Sequence, residues 1–295
     1  LKLNRRVLGY GIAALLFGVI AYSLFKSWRQ IDLSSFSLDA RYLFASLVPH
    51  AIGMALAALG WGLIIRRLDS GSRLLESAKI YYYTNVPKNL PGTVWYIFGR
   101  VYLHERKGLP KTIATVAVVL ETVVILLASA LVYMVCLILQ PGSAVVDWSY
   151  ILLLFLAGAT LLHPTVFNRV VNYVIHRLGQ PGLAGVRLRF QDIGSWLVLY
   201  VVVIGIGGGA LFLLVNAVYP APVGTFLLIT RAWAISVILS SLVFWLPGHL
   251  GIRDGILVVA LNSFLPISTA LVIALLWRVW MAIDELVWAL VATRL

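Results

Sequence analysis

Residues 245–261 read WLPGHLGIRDGILVVAL. They follow an almost wholly apolar run, yet a Pro-Gly break and the pair Arg253-Asp254 interrupt the hydrophobic sequence before it resumes at Ile256. Backbone left unpaired in hydrocarbon is costly, so a broken helix survives at membrane depth only inside protein or beside a wet cavity. How the chain accommodates this break decides the fold.

The surroundings of the break are those of a membrane protein. The 295 residues are 61% hydrophobic and 12% charged, more apolar surface than a soluble domain of this length can hide. Several windows exceed the roughly 18 apolar residues that read as a bilayer span. The composition therefore predicts an all-α polytopic membrane protein, one integral domain over 1–295. Six stretches read as full spans: about 7–25, 42–65, 112–139, 148–163, 193–219 and 267–292. The first follows LKLNRR and is too long for a signal-peptide core, so it reads as an uncleaved span. The formal charge of +12 fits basic loops that touch anionic lipid at the cytoplasmic face, not nucleic acid. The single cysteine, Cys136, excludes an internal disulfide.

A second broken segment lies at 78–103, AKIYYYTNVPKNLPGTVWYIFGRVYL, and the two resemble each other. Pro91-Gly92 and Pro110 recur as Pro247-Gly248 and Pro266 at a constant offset of 156 (247 − 91 and 266 − 110). Gly99 meets Gly255 at the same offset. The register predicts an internal duplication, with repeat 1 at about 1–140 and repeat 2 at about 145–295.

Basic residues set the topology. If both broken segments are re-entrant hairpins and the N-terminus is cytoplasmic, fifteen of the 23 Lys and Arg fall on the cytoplasmic side. The opposite side holds Lys26, Arg29 and Arg41, and five others lie outside the loops. This positive-inside bias predicts a cell-membrane protein with both termini cytoplasmic. The repeats are then inverted, as in many secondary transporters, and the paired broken segments point to a midplane site. A half-helix beginning at each Pro-Gly turn offers free N–H groups and partial positive charge to an anion.

The five basic residues outside the loops are Lys88, Arg100, Arg231, Arg253 and Arg278. Arg278 lies ~16 Å into the last span at about 1.5 Å per residue. Glu121 is comparably deep in the third span. Charges at such depth are paired, hydrated or lining a pathway. A structural bridge between Arg278 and Glu121 is one reading of them. Lys88 and Arg100 equally fit snorkelling or ligand contact, and Arg253-Asp254 fits an exposed turn pair as well as a site. The five histidines are too scattered for a metal centre. The cluster Tyr81-Tyr82-Tyr83 reads as an interfacial belt, and 165–179 as an amphipathic helix on the cytoplasmic surface.

These motifs resemble the flippase-like membrane proteins related to the transmembrane half of lysyl-phosphatidylglycerol synthases. Pro247, Gly248, Gly251, Asp254 and Arg278 stand where that family carries a Pro-Gly-rich acidic turn and an Arg in the last span. Asn85, Pro91, Gly92, Arg100, Gly108 and Glu121 match its other block. Asp254 replaces the usual Glu, and Thr93-Val94-Trp95 stands where many relatives have glycine. No aminoacyl-transfer domain lies within these residues, so the resemblance implies the lipid-translocating part and not lysyl-lipid synthesis.

The expected function is translocation of a phosphate-bearing lipid, of phospholipid or polyprenyl-phosphate type, without cofactor or metal. Arg253, Arg278 and Arg231 are the expected phosphate ligands, with Asp254 and Glu121 orienting them and Arg100, Lys88 and the Pro-Gly turns completing the site. A small-solute or ion transporter is the alternative, and an intramembrane enzyme on lipid-linked substrates a further one. The sequence has no Gly-x-Ser-x-Gly elbow and no His-Glu-x-x-His. A homo-oligomer is compatible with the sequence.

Overall fold

The computed structural model describes residues 38–86, 94–141, 146–177, 188–242 and 249–294. The first expected span and both Pro-Gly turns lie outside them. Among the described residues the chain forms eleven α-helices and one short 3-10 turn. In order they are α1 (Ala40–Ala45), α2 (Leu47–Leu68), α3 (Leu74–Asn85), α4 (Val94–Glu105), α5 (Lys111–Leu139), α6 (Trp148–Leu162), α7 (Pro164–Arg177), α8 (Phe190–Val218), α9 (Phe226–Leu242), α10 (His249–Leu261) and α11 (Ile267–Ala292).

Among the described residues four helical stretches are long and apolar enough to cross a membrane: Ala40–Leu68, Lys111–Leu139, Phe190–Val218 and Val223–Leu242. The first three coincide with expected spans. The fourth is the first arm of the second broken segment, which therefore has span length by itself. Conversely α6, expected to cross, has only 15 residues, or about 22 Å at 1.5 Å per residue. Helix α11 covers the 26 residues expected for the last span but is not among these four. Pro110 and Pro266 each stand at the N-cap of the long helix that follows, a place where proline's missing N–H costs little and its fixed φ suits the helix. The amphipathic segment is helical, as α7.

The packing order is regular. On either side of the first break α3 packs against α4, and on either side of the second α9 packs against α10. Helix α5 then packs on α9, and α11 packs on α3, so each long helix lies against the other segment's first arm. At the centre α2 lies along α8. Close approach of α8 to α2 and to α9 depends on small residues. A Cβ at Gly60 would stand 2.9 Å from the Tyr200 ring, and one at Gly207 would stand 2.5 Å from Trp233 Nε1. Helices α6 and α7 stay peripheral, α6 against α5 and α7 against α6. The turn from α4 to α5 needs a left-handed residue, and Gly108 supplies it at φ +90°.

Candidate functional site

Residues of α2, α3, α4, α5, α8, α9, α10 and α11 enclose a cavity of about 450 Å³. Its wall is mostly apolar, including Met54, Ile97, Val119 and Met281, with His50, Asn85, Glu121, Arg253 and Glu285 as polar points. Val119 is at the same time 54% exposed on the outer surface of α5. The cavity wall thus reaches the side of the helix bundle and not only its ends.

On one flank of this cavity an arginine is fully enclosed. Arg100, from α4, has no exposure at all. Its Nη1 donates to Glu121 Oε2 on α5, its Nη2 to Asn85 Oδ1 at 3.2 Å and its Nε to Thr84 Oγ1 at 3.3 Å. The guanidinium carbon lies 4.3 Å from the ring centre of Tyr81 and 4.5 Å from that of Trp61. Such faces attract a desolvated cation. The other carboxylate oxygen, Glu121 Oε1, accepts from the Tyr200 hydroxyl at 2.8 Å. A buried ion pair is tolerable only when its remaining donors and acceptors are also satisfied, and this one meets that condition. The tyrosine cluster is therefore not a belt at the interface: Tyr81 and Tyr82 are buried and only Tyr83 is exposed.

The opposite flank is built from α9, α10 and α11. Arg278 Nη1 donates to Asp254 Oδ2 at 3.1 Å, a pair that keeps 11% and 23% side-chain exposure. Arg253, the neighbouring residue on α10, lies in the cavity wall with its guanidinium carbon 4.6 Å from the Trp233 ring centre. Its Nε is buried and has no hydrogen-bond partner among the described residues. Trp233 in turn meets Trp277 edge-on at 5.0 Å. This flank presents a guanidinium held by a ring face, with a donor left over.

The expected site residues divide accordingly. Glu121 and Arg253 line the cavity. Asp254 and Arg278 are joined to each other, so the bridge expected between Arg278 and Glu121 is replaced by two separate pairs, Arg278 with Asp254 and Arg100 with Glu121. Arg231 sits apart, in a small separate hollow with Tyr133 and Ser263, and its Nη1 reaches the Gln140 carbonyl at 3.4 Å beyond the end of α5. A cation suits that C-terminus. Gly251 lies in the first turn of α10. Lys88, Pro91, Gly92, Pro247 and Gly248 lie outside the described residues.

One pair was missed in the sequence. His50 Nδ1 lies 2.8 Å from Asp284 Oδ2, with 10% and 6% side-chain exposure, and His50 is a wall residue of the cavity. A helical histidine followed far along the chain by an acidic pair, Asp284-Glu285, was the available signal, but 234 residues separate the partners.

No curated protein matches the chain. Residues 6–283 match the family described as the lysylphosphatidylglycerol synthase TM region. That match covers nearly the whole sequence and agrees with the helical, multi-span architecture: the chain belongs to this family and is a multi-pass membrane protein related to lipid-flippase transmembrane domains.

Proposed function

We propose that the protein carries a phosphate-bearing lipid headgroup, of phospholipid or polyprenyl-phosphate type, from one leaflet to the other while the acyl or prenyl chains remain in the bilayer. The observation that carries this reading is Arg253. A guanidinium with an unpartnered, buried Nε, set in a mostly apolar cavity wall, invites an anion that brings its own acceptors. The reach of the same cavity to the exposed side of α5 at Val119 favours a ligand with a tail over a free solute, because a tail needs a lateral exit.

In this reading the two broken segments are re-entrant hairpins and the repeats are inverted across the bilayer, with both termini cytoplasmic. The reciprocal packing of α5 on α9 and of α11 on α3 supports the duplication. Lys88 and the two Pro-Gly turns remain part of the proposed headgroup site. Asp254 holds Arg278 while the site is empty. An arriving phosphate competes for that guanidinium, and rocking of one repeat against the other then exposes the site to the second leaflet.

The test is reconstitution of the purified protein into vesicles containing a fluorescent phosphatidylglycerol or a fluorescent polyprenyl phosphate, with leaflet exchange read by chemical quenching. Wild-type protein accelerates exchange, and Arg253→Gln lowers the rate at least tenfold while the protein remains monodisperse. Chemical conversion of the probe by the wild type would instead make it an enzyme. Exchange that is unchanged by Arg253→Gln would remove this residue from the site.

A further inference from the structure

We propose that His50 and Asp284 form a proton-binding site that couples headgroup movement to a proton gradient; the proposal rests on the translocator reading above. Its basis is a charge balance in the cavity. Among the described residues that line the cavity or pair with its wall, the cations are Arg100 and Arg253, and the carboxylates are Glu121, Asp284 and Glu285. With His50 neutral the balance is 2 − 3, a net −1. An anionic headgroup entering that space meets like charge in a poorly screened environment, which disfavours it. One proton on His50 brings the balance to zero.

The geometry suits the imidazole to that task. Asp284 lies 2.8 Å from Nδ1 and so fixes the proton on that nitrogen, leaving Nε2 as the atom that gains and loses the second one. The ring packs edge-on against Trp277 at 5.3 Å, so it cannot swing away to follow bulk solvent. Each helix packed around it contributes a distinct neighbour. From α11 come Asp284 and Glu285; from α10 comes Arg253, in the same cavity wall. From α3 come Tyr81 in the wall and Tyr82, which stacks on Trp288 at 4.8 Å. From α4 comes Tyr96, and from α5 comes Glu121, already committed to Arg100 and to Tyr200 of α8. His50 is the histidine among the cavity-lining residues. Protonated on the acidic side, it admits the headgroup; on the alkaline side it releases the proton, the wall regains its negative charge, and the headgroup leaves. Proton and anion travel in the same direction.

The experiment uses the full chain in vesicles of phosphatidylethanolamine and phosphatidylglycerol, with the same fluorescent lipids and a pH-sensitive dye in the lumen. A gradient of one pH unit is expected to enrich the probe about tenfold in the alkaline leaflet, the ratio for one proton per lipid, and probe movement is expected to carry protons into the alkaline compartment. In His50→Gln the enrichment falls to less than about twofold, and Asp284→Asn, which removes the same proton relay by its other member, does likewise. Enrichment is a ratio, so a variant that merely folds poorly loses rate without losing bias. Wild-type exchange that ignores the gradient, or proton flux that ignores the lipid, overturns the coupling and leaves the translocator standing. Absence of any wild-type exchange overturns both. Retention of the bias in His50→Gln overturns the assignment of the site.

Discussion

Arg278 and Asp254 join α11 to α10 with the charges exchanged relative to Arg100 and Glu121, which join α4 to α5. At the 156-residue offset Arg100 and Glu121 fall on Ile256 and Trp277, within two residues of Asp254 and Arg278. Of these two short-to-long helix junctions, one carries its guanidinium on the short helix and the other on the long helix. The first pair is sealed, and the second keeps partial exposure.

Exposure decides what the second pair can do. Arg278→Ala is expected to lower lipid exchange at least tenfold, about 1.4 kcal/mol of barrier, with a smaller loss of thermal stability than removal of the fully buried Glu121. Exchange assays and melting curves on the same preparation check both halves. Wild-type exchange in this variant would exclude Arg278 from the site.

The sealed pair behaves oppositely. Glu121→Leu strips Arg100 and Tyr200 of an acceptor and is expected to cost about 3–5 kcal/mol, the penalty of a buried charge left alone. The double variant Arg100→Leu/Glu121→Leu should melt above Glu121→Leu. Thermal unfolding in detergent distinguishes the two, and a double variant that melts lower would show that the pair itself is net stabilising.

Between α8 and α9 the missing side chain of Gly207 makes room for Trp233, the ring beneath Arg253. Gly207→Leu is expected to destabilise by about 1–3 kcal/mol through overpacking and to slow exchange further by displacing that ring. Gly205→Ala, with nothing within 4 Å of its Cβ, is the matched control, expected to melt as the wild type does.

Orientation is accessible through the single cysteine. Cys136 is buried, so Cys136→Ala gives a background for reporters. Val223→Cys, at a position 82% exposed, is expected to react with a membrane-impermeant maleimide added to intact cells. Ser72→Cys, between α2 and α3, reacts only after the cells are opened. Reversed labelling would invert the proposed topology.

Much of the helical architecture was legible in the sequence because apolar length and proline position are local signals. Proline at 110 and 266 marked the starts of α5 and α11, and the long apolar runs gave α2 and α8 to within a few residues. Which deep charge meets which was not legible. Depth along a helix places Glu121 and Arg278 at similar levels, but the azimuth of each helix decides partners, and azimuth depends on contacts such as Gly60 against Tyr200. Tyr81 shows the same limit: an aromatic beside polar residues fits a headgroup belt equally well until Arg100 is seen beneath its ring. The pairing of His50 with Asp284 needed the packing of α11 beside α2, which no local pattern encodes.

The inequality of the two charged junctions has a mechanical meaning. Separating α4 from α5 would break a buried ion pair along with the Asn85, Thr84 and Tyr200 bonds around it, whereas parting α10 from α11 strains the less buried Arg278–Asp254 pair. In the proposed rocking cycle the first junction is the anchor and the second is the latch, where movement begins.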